Sequence, residues 1–238
     1  MVHYNSRLGD MGTLRKAVRL GPRLHRMVRS TYNRLTRHRF PGSASYWERR
    51  YDSGGDSGVG SYGQFAEFKA EVINAFVVRN DVKSVIEFGC GDGNQLSLAK
   101  YPSYLGFDIS ATVIDRCRQR FAGDASKSFQ LLQAYDDERA EMALSLDVIY
   151  HLVEDSVFEA YMRRLFSSAT RFVVIYSSDL EENDHDQRKH IRHRRFTEWI
   201  ETNVSGWTLK AHIPNKYPYK GNYRTGSFAD FFVFERNA

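Results

Sequence analysis

Val85-Ile86-Glu87-Phe88-Gly89-Cys90-Gly91-Asp92-Gly93-Asn94-Gln95 is the stretch that decides the fold of this 238-residue chain. Its β-branched and apolar start predicts a buried strand, and the glycines that follow predict a sharp turn out of it. Glycine takes positive φ without penalty and carries no Cβ to hold a ligand off the main chain. Nineteen positions after Gly89, the run Tyr104-Leu105-Gly106-Phe107-Asp108 predicts a second parallel strand. At that spacing its terminal carboxylate reaches the two hydroxyls of a ribose, so the pair of segments reads as a cradle for an adenosyl cofactor.

Two cofactor classes use such a cradle, and the glycine spacing separates them. The nicotinamide fingerprint G-x-G-x-x-G needs glycine at position 94, where this chain has Asn. The observed E-x-G-x-G-x-G, with Glu87 two residues ahead of Gly89, resembles motif I of the class I S-adenosylmethionine (SAM)-dependent methyltransferases. SAM carries no diphosphate, so a helix N-terminus is not needed as an anion site, and its cationic end suits a nearby acid. The resemblance implies a Rossmann-like class I methyltransferase fold of the α/β class. Its sheet is a mostly parallel one of seven strands with an antiparallel final strand.

Composition bounds the remainder. The length suits one α/β domain with extensions. Cys90 and Cys117 read as buried thiols rather than a bridge, which fits a reducing compartment. No run of about 18 apolar residues exists, and no apolar signal core opens the chain, so the expected location is cytoplasmic. The net charge of +5 is unevenly spread: residues 1–50 hold 12 Lys and Arg against Asp10 and Glu48, and the rest holds 22 bases against 27 acids. That acidic body excludes a general nucleic-acid binder, leaving RNA a role only through the arm.

Residues 1–44 read as a basic helical arm and 45–238 as the methyltransferase domain. Within 13–39 the apolar residues Leu14, Val18, Leu24, Met27, Val28, Tyr32 and Leu35 fall near helical spacing, broken at Gly21-Pro22. Three readings stay open for it: packing on its own or a partner domain, peripheral attachment at the inner face of a membrane, and an organelle presequence. The Gly- and Ser-rich stretch Asp52–Gly63 is either a linker or a lid whose aromatic margins, Trp47, Tyr51 and Tyr62, cover a bound ring. Helices are expected over Gln64–Asn80, from Gln95 to Ala99, over Ala111–Ala122 behind a Ser110 cap, and over Asp155–Ser168. Strands are expected at Ser84–Phe88, Tyr104–Ile109, Phe129–Gln133, Ala143–Ile149 and Arg171–Tyr176. Trp207–Ile213 and Ser227–Phe234 follow as an antiparallel pair.

Ligands of such sheets lie beyond the carboxyl ends of the strands. The cofactor residues expected there are Glu87, Gly89, Gly91, Gly93, Gln95, Asp108 and Ile109, with Tyr135 and Asp136 at the adenine and Leu146 and Asp147 at the methionine end. The segment after the fourth strand, Asp147-Val148-Ile149-Tyr150, lacks the Asn/Asp-Pro-Pro-Tyr/Phe run common in enzymes that methylate amino nitrogens. It ends in His151, a base able to take a hydroxyl proton. Further on, His190, Arg192, His193 and Arg194 are expected to grip a substrate anion or sugar beside Tyr62. Asp179 and Asp184 offer oxygens for Mg²⁺.

A narrower likeness lies in Tyr46-Trp47-Glu48-Arg49-Arg50-Tyr51, Gly58-Val59-Gly60-Ser61-Tyr62-Gly63, Phe68-Lys69 and His190–Phe196. These segments are similar to those of bacterial methyltransferases of polysaccharide modification. That likeness implies O-methylation of a glycan hydroxyl. An RNA or other small-molecule acceptor, an NAD-dependent oxidoreductase and a non-catalytic partner subunit are the rival readings.

Overall fold

The computed structural model describes residues 40–183 and 188–237. The predicted arm over 13–39 lies outside the described residues, whereas Ser43 and Ala44, placed in the arm by sequence, already belong to helix α1 (Ser43–Asp52). Helix α2 (Gly63–Arg79) precedes β1 (Val85–Phe88), which is buried at all four positions. Then come β2 (Tyr104–Asp108), α3 (Ala111–Arg120), β3 (Lys127–Leu131), β4 (Ala140–Leu146), α4 (Asp155–Ser167) and β5 (Ala169–Ser177). Helix α5 (Phe196–Asn203), β6 (Trp207–Ile213) and β7 (Asp230–Arg236) complete the order.

The strands form one seven-stranded sheet in the order β3-β2-β1-β4-β5-β7-β6. Every pairing from β3 to β5 is parallel, and β7 runs antiparallel between β5 and β6. This is the α/β, Rossmann-like methyltransferase architecture expected from sequence. Side chains alternate along β1, so Val85 enters the core under α2 and α3 while Ile86 and Phe88 enter the core under α4 and α5. Burial on both faces explains why β1 reads as a continuous apolar run. Because the strand order reverses between β1 and β4, a crevice opens beyond their carboxyl ends.

Several predicted boundaries shift. Gln95–Ala99 does not open a helix: a single 3₁₀ turn spans Leu96–Leu98, and Ala99 is extended at φ −83°, ψ 147°. Pro102 lies close behind and cannot donate to a helix. The side chain of Asn74, on α2, clamps the turn instead, donating to the Leu98 carbonyl at 2.9 Å and accepting from Lys100 N–H at 2.9 Å. Ser110 does cap α3, accepting from Val113 N–H at 3.4 Å. The expected third and fourth strands sit two to three residues earlier in the chain, and Ile149 falls in a 3₁₀ turn after β4. Helices α1 and α5 were not anticipated. Among the described residues no helix is long and apolar enough to cross a membrane.

Met142, fully buried in β4 beside β1, fills the core under α2. Met142→Ala is expected to cost about 2–5 kcal/mol in a urea melt, the range for a truncated core side chain.

Candidate active site

The turn after β1 holds Gly89, Gly91 and Gly93 at φ 86°, 57° and 74°. A Cβ on Gly89 would meet Val148 Cγ2 at 2.6 Å, one on Gly91 would collide with Ser57 Oγ, and one on Gly93 would meet Phe121 at 2.9 Å. The room the glycines leave is therefore taken by the chain itself, rather than by a ligand alone as the sequence suggested. Gly93 packs against α3 and lines neither of the two cavities described below, unlike Gly89 and Gly91, which line the first.

Two carboxylates sit under this turn. Asp108 accepts from Gly91 N–H at 3.1 Å and from Ser110 N–H at 3.0 Å, and Glu87 accepts from the Tyr104 hydroxyl at 2.6 Å. Burial pushes Asp108 up to about 6 and Glu87 up to about 7.

The glycine-rich loop closes over the turn as a docked lid. Ser57 and Asp92 bond reciprocally: Ser57 N–H donates to Asp92 Oδ2 and Asp92 N–H to Ser57 Oγ, both at 2.8 Å. Tyr62 O–H adds a bond to Asp92 Oδ2 at 2.7 Å, and Asn94 Nδ2 donates to the Ser61 carbonyl at 2.7 Å. Burial raises the Asp92 carboxyl, but the bonds from Ser57, Asn94 and Tyr62 outweigh it and hold the group below its ordinary value. Tyr62 serves this clamp and lines neither cavity described below, so its expected substrate contact is corrected.

Two cavities of about 360 Å³ each meet here, sharing Trp47, Ser57, Asp147 and His151 in their walls. Glu87, Gly89, Gly91, Gln95, Asp108, Ile109 and Leu146 line the first. The second is walled by aromatic rings, including Tyr46, Tyr150, Tyr176, His190, His193 and Phe228, and by the cations Arg50 and Arg188.

At the junction Asp147 stands at φ 60°, a strained value for a non-glycine residue, and is held there from two sides. Lys69 Nζ, 1% exposed, reaches its Oδ2 at 2.5 Å, and Tyr150 O–H donates to its Oδ1 at 2.7 Å. His151 Nδ1 bonds the His190 carbonyl at 3.1 Å, so Nδ1 carries the proton and Nε2 the lone pair. Trp47 and Tyr150 meet the His151 ring edge-on at centroid distances of 4.8 and 4.6 Å.

A profile of the methyltransferase domain matches residues 62–211. The chain belongs to the methyltransferase-domain family. It is a SAM-dependent methyltransferase, and a search of the curated proteins finds no match. Among solved structures it is similar to N-methyltransferase NodS from Bradyrhizobium japonicum WM9 in complex with S-adenosyl-L-homocysteine, at 14% identity and TM-score 0.63. That match covers 82% of this chain and 98% of that one. It is also similar to the methyltransferase domain of bacterial CtHen1-CN, at 23% identity, TM-score 0.55, and coverage of 70% and 97%. A third is magnesium protoporphyrin IX methyltransferase from Synechocystis PCC 6803 with bound SAM, at 17% identity, TM-score 0.54, and coverage of 86% and 97%. At these identities the likeness is one of fold.

The first cavity suits the methyltransferase cofactor on its own chemistry. Glu87 and Asp108 offer carboxylates to an amino group, a sulfonium and ribose hydroxyls. The Gln95 amide donates to the Ala66 carbonyl at 3.1 Å, while its Oε1 is buried with no hydrogen-bond partner among the described residues. An acceptor-rich cavity with an orphaned oxygen calls for a cationic ligand rich in donors.

Other expected residues stand apart. Tyr135 packs edge-on against Phe88 and Phe107, Asp136 is exposed, and Leu132 is the residue of that segment at the cavity. The loop after β3 turns too early for Asp136 to reach inward. Arg192 and Arg194 serve the protein: Arg192 Nη1 donates to the Val153 carbonyl and pairs with Asp155 at 2.8 Å, and Arg194 donates to the Leu152 and Val153 carbonyls and stacks over Phe158. His190 and His193 do line the second cavity. Asp179 caps α5, accepting from Thr197 N–H at 3.1 Å and from Thr197 Oγ1 at 2.5 Å, so both its oxygens are engaged in holding the helix start. Asp184 lies outside the described residues, among which no group of three or more His, Cys, Asp or Glu gathers as a metal site.

Lys69 was not singled out for the site, although a signal was present: a charge flanked by Phe65 and Ile73, four residues away on either side, on the buried face of α2.

The raised carboxylates give cofactor binding a pH dependence. Between their ordinary values near 4 and the folded values near 6 and 7, the folded protein holds protons that the unfolded chain has lost. Stability of the free protein from these groups therefore falls as pH rises through that window. A cationic ligand favours the ionised forms and reverses the effect. The thermal shift given by SAM is expected to be larger at pH 8 than at pH 6, with proton release on binding seen by calorimetry in buffers of different ionisation enthalpy. Glu87→Gln should flatten the difference, and an equal shift at both pH values in the wild type would reject this role.

Proposed function

We propose that the acceptor is a hydroxyl of a sugar or saccharide and that His151 receives its proton. One observation carries the reading: His151 stands in the walls of both cavities, where donor and acceptor must meet, with its lone pair on Nε2. When bound, SAM supplies a methyl carbon activated by a sulfonium. The second cavity holds the acceptor against aromatic rings, which pack well on the C–H faces of a sugar. As the hydroxyl oxygen bonds to the methyl carbon and the carbon–sulfur bond breaks, the hydroxyl proton passes to His151 Nε2. Burial pushes His151 down to about 3, while the His190 carbonyl and Asp147 act in the opposite direction. The imidazole is thus neutral and able to accept at every physiological pH, and Asp147 stabilises the imidazolium once formed. The segment after β4, with no paired prolines, supports oxygen over an amino nitrogen as the attacking atom.

Incubation with SAM and a panel of oligosaccharides, read by mass spectrometry, is expected to show gain of one methyl on oxygen. Methylation of RNA alone would overturn the saccharide assignment. His151→Ala is expected to lower kcat by about 10²–10⁴, the usual contribution of a positioned base, with SAM affinity nearly unchanged. Retained turnover would remove His151 as the base. The wild-type rate should show no loss from histidine protonation between pH 8 and pH 5, as a pH profile at saturating SAM will test, since His151 titrates far below that range.

A further inference from the structure

A third cavity, of about 330 Å³, lies at the other end of the sheet. Its walls come from the residue before β4 (Arg139), the end of α4 (Phe166, Ser167), the segment after α5 and the open ends of β6 and β7 (Trp207, Arg236). These are the amino ends of the parallel strands, whereas the cofactor cavity occupies the carboxyl ends. Three arginines, Arg139, Arg163 and Arg236, converge on it from separate parts of the chain, and no acid lines it.

Elsewhere, several arginines that bind the fold together have carboxylate partners: Arg50 with Asp56, Arg171 with Glu141, and Arg192 and Arg194 with Asp155. Arg116 and Arg120 are held by backbone carbonyls instead. Arg139, Arg163 and Arg236 have none within ion-pair distance among the described residues. Two of them are oriented by rings, Arg163 over Trp199 at 5.6 Å and Arg236 over Trp207 at 5.8 Å. Arg236 also donates through Nη1 to the Ala169 carbonyl at 3.3 Å, which leaves its other N–H groups for a ligand. Stacking fixes the plane of a guanidinium while leaving such N–H groups available. Three like charges around one concavity repel each other, and an anion with several oxygens relieves that repulsion while accepting bidentate bonds.

We infer that this cavity is a second ligand site, which takes the phosphate group of a phosphate ester through Arg139, Arg163 and Arg236. Asn203 and Ser205 add hydrogen-bonding groups, and Phe166, Val204 and Trp207 give the body of the ester an apolar wall. The volume exceeds what a bare phosphate fills. A soluble phosphate ester and the headgroup of an anionic phospholipid present this same chemistry.

Tryptophan fluorescence of the full chain, saturated with SAM so that the surroundings of Trp47 stay constant, reads the site through Trp207 and Trp199. Pyrophosphate and vesicles of phosphatidylglycerol in phosphatidylcholine are titrated separately. A saturable change is expected with at least one of them, weakened roughly tenfold or more in Arg139→Ala/Arg163→Ala. Response to pyrophosphate assigns a soluble ligand, and response to the vesicles alone assigns a membrane source. Both substitutions are at exposed positions, so an unchanged thermal midpoint will show that the variant is folded. No saturable change with either probe, or the same affinity in the variant, would overturn the site. The readout involves no methyl transfer, so its outcome is independent of the acceptor assignment.

Discussion

A buried charge must be compensated where it stands, and three carboxylates, Glu87, Asp108 and Asp147, line the first cavity. Each is answered differently. Asp147 receives a full counter-charge from Lys69 and a hydroxyl from Tyr150. Asp108 receives two backbone N–H groups at the start of α3 and the glycine turn. Glu87 has the hydroxyl of Tyr104 and a more distant attraction from Lys69, which leaves burial dominant. The gradient of compensation follows the chemistry expected of a cationic cofactor: the least satisfied acid is the one with most to gain when a positive ligand arrives. It also explains why α2 carries a lysine on its buried face. Without Lys69, Asp147 would stand as an uncompensated charge at the junction of the two cavities.

The glycine turn is the second constraint, and it acts through packing. Because Gly89 admits Val148 and Gly91 admits Ser57, the turn joins the segment after β4 to the loop after α1. That loop is then fixed by Asp92 and Asn94, residues of the turn itself. Gly60, in the same loop, rests so near Asp147 that a Cβ there would meet the carboxylate at 2.8 Å. Donor cradle, lid and junction are thus one assembly, in which a side chain added at any of these glycines displaces a functional neighbour.

How much of this was legible in the sequence depended on whether a strand or a loop carried the residue. Glu87 and Asp108 lie in strands that read as short apolar runs closed by turn residues, so their positions near the carboxyl ends followed from the pattern. Asp136, Arg192 and Arg194 lie in loops, where charge and spacing suggested a ligand role but a single early turn or a nearby carbonyl decided otherwise. The two arginines show the difficulty plainly: the residues they serve, Leu152, Val153 and Asp155, are some 40 positions earlier in the chain. The missing helix after the glycine turn had a similar cause, since Asn74 on α2 supplied the bonds a helix would have made. His151 lies five residues beyond β4, at the end of the 3₁₀ turn Ile149–His151, on the carboxyl side of the sheet where the strand pattern put it.

The acceptor side follows from these same forces. Its walls come from α1, the segment after β4 and the loop bearing His190 and His193, brought together by the bonds of Arg192 and Arg194 to the start of α4 and of Ser43 to Glu154. Burial within this wall makes the imidazole of His151 a weak base in the free protein. Under the proposed function, proton transfer there becomes favourable only as the attacking hydroxyl oxygen loses electron density to the methyl carbon and its proton acidifies. On that reading the site takes a proton during methyl transfer and not before it, which is the timing that alkylation of a neutral hydroxyl requires.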